Sequence, residues 1–372
     1  IKWLLLHFQA DLPANQGKRF ECCTETLASL PEQAVVVDPL GGVMRIDTGA
    51  ISVELNGPGQ QGLFQSISSA DGLALNQISG PVIGNEVNTK FHCEIGSEGW
   101  EVLESGPIRA VVQTSGKHVN GEEGSWFDYK VRVYAFAGKP WIQMDYQIIH
   151  REAHTDQTVN ALILELGGVT HPGSAEEVRT VLGRSNYATN MQCSESGGRL
   201  AHRITAEELK YQGNEHSPEI MYGTFFTDWH HPQVGGYSVT LYQAQQNFPK
   251  ELEVSGEGMS VGIIPEGIGL VMLQGMAKTH RMFIHLHGPE EQMEQVNIRS
   301  LQFQLPDRPV LDASVYEHAG VMEPLAVADK AGEAERTLVY LADYRAKADG
   351  ILHWGDAPDR AYSEQGRGRG EW

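Results

Sequence analysis

Apolar residues recur along this chain mostly at every second position, in short runs broken by turn residues. The clearest case spans 129–149. Tyr129, Val131, Val133 and Ala135 alternate with Lys130, Arg132 and Tyr134, and Ala137-Gly138-Lys139-Pro140 then turns the chain. Ile142, Met144, Tyr146 and Ile148 follow on one face, with Gln143, Asp145 and Gln147 on the other. Period-two alternation on both sides of a Gly-Lys-Pro turn predicts a hairpin of two half-buried strands. The same reasoning predicts strands over 1–9, at Val35-Val36-Val37, at Val43-Met44-Arg45-Ile46 and at Ile51–Leu55, the last ended by Asn56-Gly57-Pro58-Gly59. Segments 108–114, 160–167, 236–243 and 269–274 add four more. This regularity predicts a β-sandwich with long strands.

Helical spacing is rare. Thr205-Ala206-Glu207-Glu208 has the form of a capping box, and Pro289-Glu290-Glu291 puts Pro at a first helical position. Leu338, Leu341, Ala342 and Arg345 predict a helix over 333–348, which Gly350 can end. Leu305-Pro306-Asp307-Arg308-Pro309 reads as a linker, so the pattern changes from strand to helix near residue 306. At 372 residues, more than one domain is expected.

Composition sharpens this picture. The 41 glycines suit many turns between strands. With 48 acidic and 28 basic residues, the net charge of −20 argues against general binding to nucleic acid or to an anionic membrane. A local basic cleft can still draw in an anion. No apolar run reaches the roughly 18 residues of a membrane helix. Cys22 and Cys23 are adjacent, a strained geometry for bridging, and with Cys93 and Cys193 they form neither a disulfide framework nor a zinc spacing. The chain opens at Ile1-Lys2-Trp3, inside an expected strand, and closes on Gly368-Arg369-Gly370-Glu371-Trp372. Both ends read as cut, which leaves room for a targeting signal and favours a secreted or periplasmic location. Oligomeric state stays open.

Three segments carry candidate chemistry. Tyr222–Pro232 places Tyr222 and Trp229 beside Asp228, His230 and His231; an aromatic ring with hydrogen-bonding neighbours is what a sugar needs, though the same aromatics also suit a core. Lys278–His287, taken as a strand, puts Met282, Ile284 and Leu286 on one face and Arg281, Phe283, His285 and His287 on the other. Two histidines two apart can ligate a metal, but no third ligand is identifiable, so a polar sheet face is the preferred reading for them. Lys278, His280 and Arg281 lie nearer the turn, placed to meet an anionic substrate. The third segment, His353-Trp354-Gly355-Asp356 with Tyr362, Arg367 and Arg369, suits an anionic sugar and an interdomain linker equally. Phosphate-loop, HExxH and nucleophile-elbow motifs are absent.

Taken together, the segments IKWLLLHFQADLP, RIDTGAISVELNG, LESGPIRAVVQTSG, YKVRVYAFAGKPWIQMDYQI, QQNFPKELEVSGEGMSVGIIPE, LQGMAKTHRMFIHLHG and HWGDAPDRAYSEQGRGRGEW resemble, in this order, the exo-rhamnogalacturonan lyase-like (YetA-like) proteins. That resemblance implies a RIFT-type β-barrel over 1–90, truncated at its start. A central β-sandwich over 91–306 and a linker with the truncated start of a helical α/α barrel over 307–372 would follow. The implied activity, in the full-length protein, is that of a polysaccharide lyase, a carbon–oxygen lyase. It would act on an acidic oligosaccharide or polysaccharide of the rhamnogalacturonan type, by β-elimination at a uronic acid. In lyases of this architecture the cleft involves the helical barrel. The chemistry needs a cation to neutralise the uronate, a base at C5 and an acid at O4. Arg281 and Lys278 are expected to neutralise, His280 or Tyr362 to move protons, and Tyr222, Trp229, His230, His231 and Trp354 to hold sugar. Calcium is the one cofactor this chemistry leaves open. The alternatives are a non-catalytic carbohydrate-binding or structural β-sandwich module and a glycoside hydrolase on the same scaffold.

Overall fold

A computed structural model describes residues 6–13, 16–21, 30–40, 42–151, 156–171, 174–185, 189–205, 224–306, 314–315, 318 and 332–340. The chain is mainly β, as its alternation predicts. The 129–149 pattern forms the hairpin Gly124–Phe136 and Trp141–Ile149, in which Val131 lies opposite Tyr146, Val133 opposite Met144 and Ala135 opposite Ile142. Every apolar member of this set is fully buried. Alternation fixes this register, because a slip of one residue would turn the whole apolar row to solvent.

Five strands form a small antiparallel meander: Val36–Leu40, Val43–Asp47, Ile51–Leu55, Phe64–Ser69 and Ala74–Leu75. A second sheet carries 15 strands among the described residues. Its path starts at Thr189–Ser194 and Arg179–Ser185, then crosses Phe225–His231, Gly235–Leu241 and Ala277–His287. It continues through Trp141–Ile149, Gly124–Phe136, Arg109–Asn120, Lys90–Ile95 and Gln77–Gly84. Ala161–Gly167, Gly258–Ile264, Lys250–Ser255 and Leu200–Ile204 complete it, and Glu101–Ser105 joins Arg109–Asn120 at the side. Sequence-adjacent strands stand at the two ends of this path, so the sheet curls almost into a barrel. The Arg184 guanidinium meets the His202 ring at 3.1 Å across the closing seam. One hydrophobic core, from Val35 to Leu286, joins residues of both sheets. A burial of this kind stabilises by roughly 1.5–3 kcal/mol for each large apolar side chain.

Helix α1, Met293–Gln304, lies across the outer face of Phe225–His231 and Gly235–Leu241. Its Val296 meets Val181 and Phe226, and Phe303 stacks on Phe283 with ring centroids 5.1 Å apart. Gln304 clamps its last turn, donating to the Leu241 carbonyl at 2.7 Å and accepting from the Gln243 amide at 2.9 Å. This helix starts after Gln292 rather than at Pro289; Pro289 and Glu290 form a turn instead. Helix α2, Gly332–Tyr340, coincides with the start of the predicted 333–348 helix. The expected first strand is corrected in its described part, since residues 6–13 form none. Its alternation is imperfect, and Leu6, Phe8 and Leu12 are exposed. All but the first residue of the predicted capping box at 205–208 lies outside the described residues, as does 341–372. Among the described residues no helix is long and apolar enough to cross a membrane.

Candidate functional site

The strand Ala277–His287 carries most of the chemistry, and its alternation decides which groups can meet. Lys278, His280, Met282, Ile284 and Leu286 turn inward; Thr279, Arg281, Phe283, His285 and His287 turn to the other face. Lys278 and His280 therefore share an environment, and Arg281 does not. The Arg281 guanidinium grips Asp145 through bonds of 2.6 and 3.1 Å and lies over the Tyr242 ring. Its charge is already matched on the outer face.

Inward, Lys278 and His280 are joined by Lys250, the first residue of the strand Lys250–Ser255 in the opposite wall of the curled sheet. Nothing in the sequence pairs Lys250 with the other two. Its only local signal is alternation with Leu252 and Val254, which marks an inward position for a charged residue. Lys250 is 2% exposed, and its ammonium donates to the Asn247 and Pro249 carbonyls at 2.5 and 2.8 Å. Burial, with Lys278 close by, holds its pKa well below the ordinary lysine value. Burial also lowers Lys278. Burial first, and then the two lysines, push His280 well below the ordinary histidine range, so its ring is neutral. Neither His280 nitrogen has a hydrogen-bond partner among the described residues, and no described carboxylate pairs with either lysine. Two lysines whose pKa values burial lowers and a neutral imidazole thus stand together with no carboxylate partner among the described residues.

On the outer face, beneath helix α1, stands a second polar cluster. His287 Nε2 meets Asp228 Oδ1 at 2.8 Å with both side chains 1% exposed. The His230 ring stacks on His287 at 5.5 Å, and Arg179 lies 3.9 Å from Asp228 Oδ2. Gly236 makes room for this stack, as a Cβ there would come within 2.6 Å of the His287 ring. Burial opposes protonation of His287, but the Asp228 charge and hydrogen bond outweigh it and raise its pKa. Burial, helped by Arg179, lowers His230 to about 4, and burial lowers His285 to about 3. The two histidines read as a polar sheet face are thus buried rather than solvated.

The remaining expected residues fall as follows. Trp229 and His231 turn inward, away from His230. The Trp229 ring is 2% exposed and its indole N–H donates to the Gly256 carbonyl at 2.9 Å, so its face is packed in the core. Its edge, with His171, Gln77 and Glu257, lines a cleft. His231 Nε2 stands 3.6 Å from Glu177. Tyr222, Trp354 and Tyr362 lie outside the described residues. Among the described residues, no group of three His, Cys, Asp or Glu side chains is placed to hold a metal ion.

Comparison with known proteins bears on what this arrangement serves. Residues 35–171 match the PcRGLX-like protein central beta sandwich domain. The matched stretch takes in the five-stranded meander and the central strands of the large sheet, including the 124–149 hairpin. It supports, at a coarse level, the rhamnogalacturonan lyase-like resemblance of the sequence. No curated protein matches the chain. Among solved structures, it is similar to a galactose mutarotase related enzyme from Lactobacillus acidophilus at 9% identity, covering 67% of this chain and 99% of that one, with a TM-score of 0.37. It is also similar to an alpha-mannosidase from Enterococcus faecalis V583 at 13% identity, covering 74% and 32%, with a TM-score of 0.43. A Glycoside Hydrolase Family 97 enzyme from Pseudoalteromonas sp. strain K8 matches at 11% identity, covering 68% and 35%, with a TM-score of 0.41.

Proposed function

We propose that this chain is the β-rich part of a polysaccharide lyase-like protein that cleaves an acidic, rhamnogalacturonan-type chain by β-elimination at a uronic acid. The observation that carries this reading is the match of residues 35–171 to the central sandwich of the rhamnogalacturonan lyase-like proteins. The Lys250, Lys278 and His280 group supports it from the side of chemistry. Elimination requires that the uronate charge be offset before C5 gives up its proton, and an ammonium without a carboxylate partner can do this. A neutral imidazole can then take the C5 proton while the C4–O4 bond breaks, its electron pair leaves on O4, which takes a proton from water, and a C4–C5 double bond forms. Lys278, the less buried of the two lysines, takes the neutralising role in this proposal and His280 the role of base; Lys250 closes the group from the opposite wall. Arg281 is assigned to holding Asp145 and Tyr242. Calcium is assigned no step.

The test is ultraviolet absorbance of the unsaturated uronate during incubation with rhamnogalacturonan oligosaccharides, with His280→Gln as the partner variant. Gln keeps a polar group of similar reach in a buried site. A rise for the parent protein that falls about a hundredfold in the variant, with folding intact, is the expected result. New reducing ends without absorbance would instead make the protein a hydrolase, and binding without any cleavage would make it a recognition module.

A further inference from the structure

Beside this inward group, the outer face of the same sheet end carries a cleft of about 440 Å³. It is built from two cross-strand rows. Ser115, Lys130 and Gln147 form one, and Lys117, Asp128 and Ile149 the other, with Arg151 at the rim. Alternation puts all six row positions on the solvent side, and neighbours in a row stand roughly 5 Å apart. The Gln147 amide donates to Thr279 Oγ1 at 3.1 Å, which extends the first row by one hydroxyl. Asp128 is shared by Lys117 at 3.8 Å and Arg151 at 3.2 Å, and no described carboxylate pairs with Lys130. Lys117, Lys130 and Arg151 thus line the cleft with one carboxylate, Asp128, while Glu94 stands opposite Lys117 in the adjoining strand, in a chain whose net charge is −20.

The sign of this cleft sets it apart. A second cleft is lined by Glu165, Glu253 and Glu257, and the one at the Trp229 edge again holds Glu257. The carboxylate-lined cleft disfavours a polyanion; the one with Lys117, Lys130 and Arg151 favours it. Its lining also lacks an exposed aromatic ring, the feature that would favour a neutral sugar face. Hydroxyl and amide groups, at Ser115, Gln147 and Thr279, instead alternate with ammonium and guanidinium groups. Cations matched to carboxylates, with hydrogen-bonding groups between them, fit a sugar chain that carries uronates.

We infer that this cleft is a docking site for an acidic oligosaccharide, separate from the inward Lys250, Lys278 and His280 group. Its ligand class rests on the lyase-like reading above. The two sites lie on opposite faces at one end of the Trp141–Ile149 and Ala277–His287 pair, where Ile148 stands opposite Lys278 and Gln147 opposite Thr279. The cleft would hold a stretch of the polymer away from the bond being cut.

The experiment is titration of the protein with polygalacturonate and rhamnogalacturonan oligosaccharides, and with a neutral galactan, at low and high salt. The variants are Lys117→Gln with Lys130→Gln, and, as a control of equal charge change, Lys18→Gln with Arg19→Gln. All four positions are solvent-facing polar residues, so folding should be retained, and circular dichroism checks it. The cleft variant is expected to weaken acidic-glycan binding about fivefold, with the loss shrinking as salt rises. The control and the neutral glycan should show no such change. No binding by the parent protein, an unchanged affinity in the cleft variant, or an equal loss in the control would each overturn the site. The function reading is read separately: a parent that binds but forms no unsaturated product loses the lyase assignment and keeps the cleft. A parent that forms product with the same affinity in the cleft variant keeps the assignment and loses the cleft.

Discussion

Tyr146 shows how much a single inward residue can decide. Its hydroxyl donates to His118 Nε2 at 2.7 Å, while His118 Nδ1 meets the Phe127 carbonyl at 3.0 Å. Both rings are fully buried, and burial holds His118 near a pKa of about 4, so the imidazole is neutral with its proton on Nδ1. Tyr146→Phe would keep the ring packed but strand Nε2 without a donor. Loss of about 1–3 kcal/mol is expected, read as a shift of the urea midpoint. Alternation alone placed Tyr146 on the buried face. It said nothing of His118, whose partner stands 28 residues along the chain and becomes a neighbour only through the sheet. The same limit hid Lys250 from Lys278 and His280. Spacing along one strand reveals which residues share a face; Lys278, His280 and Arg281 read along the sequence as one anion-facing set, whereas alternation turns Arg281 to the other face, where it holds Asp145. Contacts between opposite walls leave no local trace.

At the scale of elements, helix α1 is the clearest case of a tertiary contact overriding weak local signals. Its sequence, MEQVNIRSLQFQ, is mostly polar, and only Val296, Ser300, Phe303 and Gln304 are buried. Pro289 suggested an earlier start because Pro suits a first helical turn, yet docking on the sheet sets the start at Met293. The Thr224 and Ser300 hydroxyls pair in the buried seam beneath it, and Phe303 locks its far end on Phe283. Phe303→Ala should cost about 3 kcal/mol and loosen the whole roof over Asp228, His230 and His287. Faster amide hydrogen exchange in 293–304 than in the sheet, with the sheet amides unchanged, would be the signature. Strand signals fared better than helix signals: Ile51–Leu55 appears with the bounds its alternation gives, since a sheet with one buried face enforces a period of two. The first run, 1–9, has apolar residues without that alternation, and its described part forms no strand, touching the hairpin turn only through the Gln9 amide on the Ala137 carbonyl.

For the molecule as a whole, buried histidines make folding sensitive to acid. His118 and His230 have folded pKa values of about 4, His285 about 3, and His280 well below its ordinary value, all against 6.5 in the unfolded chain. Between 6.5 and about 4 the unfolded chain binds protons that the folded one refuses, so each of these groups destabilises the fold as pH falls through that window. His287 acts in the opposite sense. Its raised pKa gives stability below 6.5 that is lost as pH rises through its folded value. Four groups against one leave a net loss on acidification. A lower urea midpoint at pH 5 than at pH 7 is expected, and an equal or higher one would mean that these rings are hydrated in the folded protein.

The curled sheet has a further meaning for how this protein can meet others. An open sheet presents rows of unpaired amides and carbonyls along its margins, and foreign strands can zip onto them. Here the terminal strands Thr189–Ser194 and Leu200–Ile204 follow one another along the chain, and Arg184, from the strand beside the first, reaches His202 in the second. The two terminal strands share no ladder hydrogen bonds and approach each other through side chains instead. Contacts made on the faces of the large sheet also run through side chains, where charge and hydroxyl pattern discriminate.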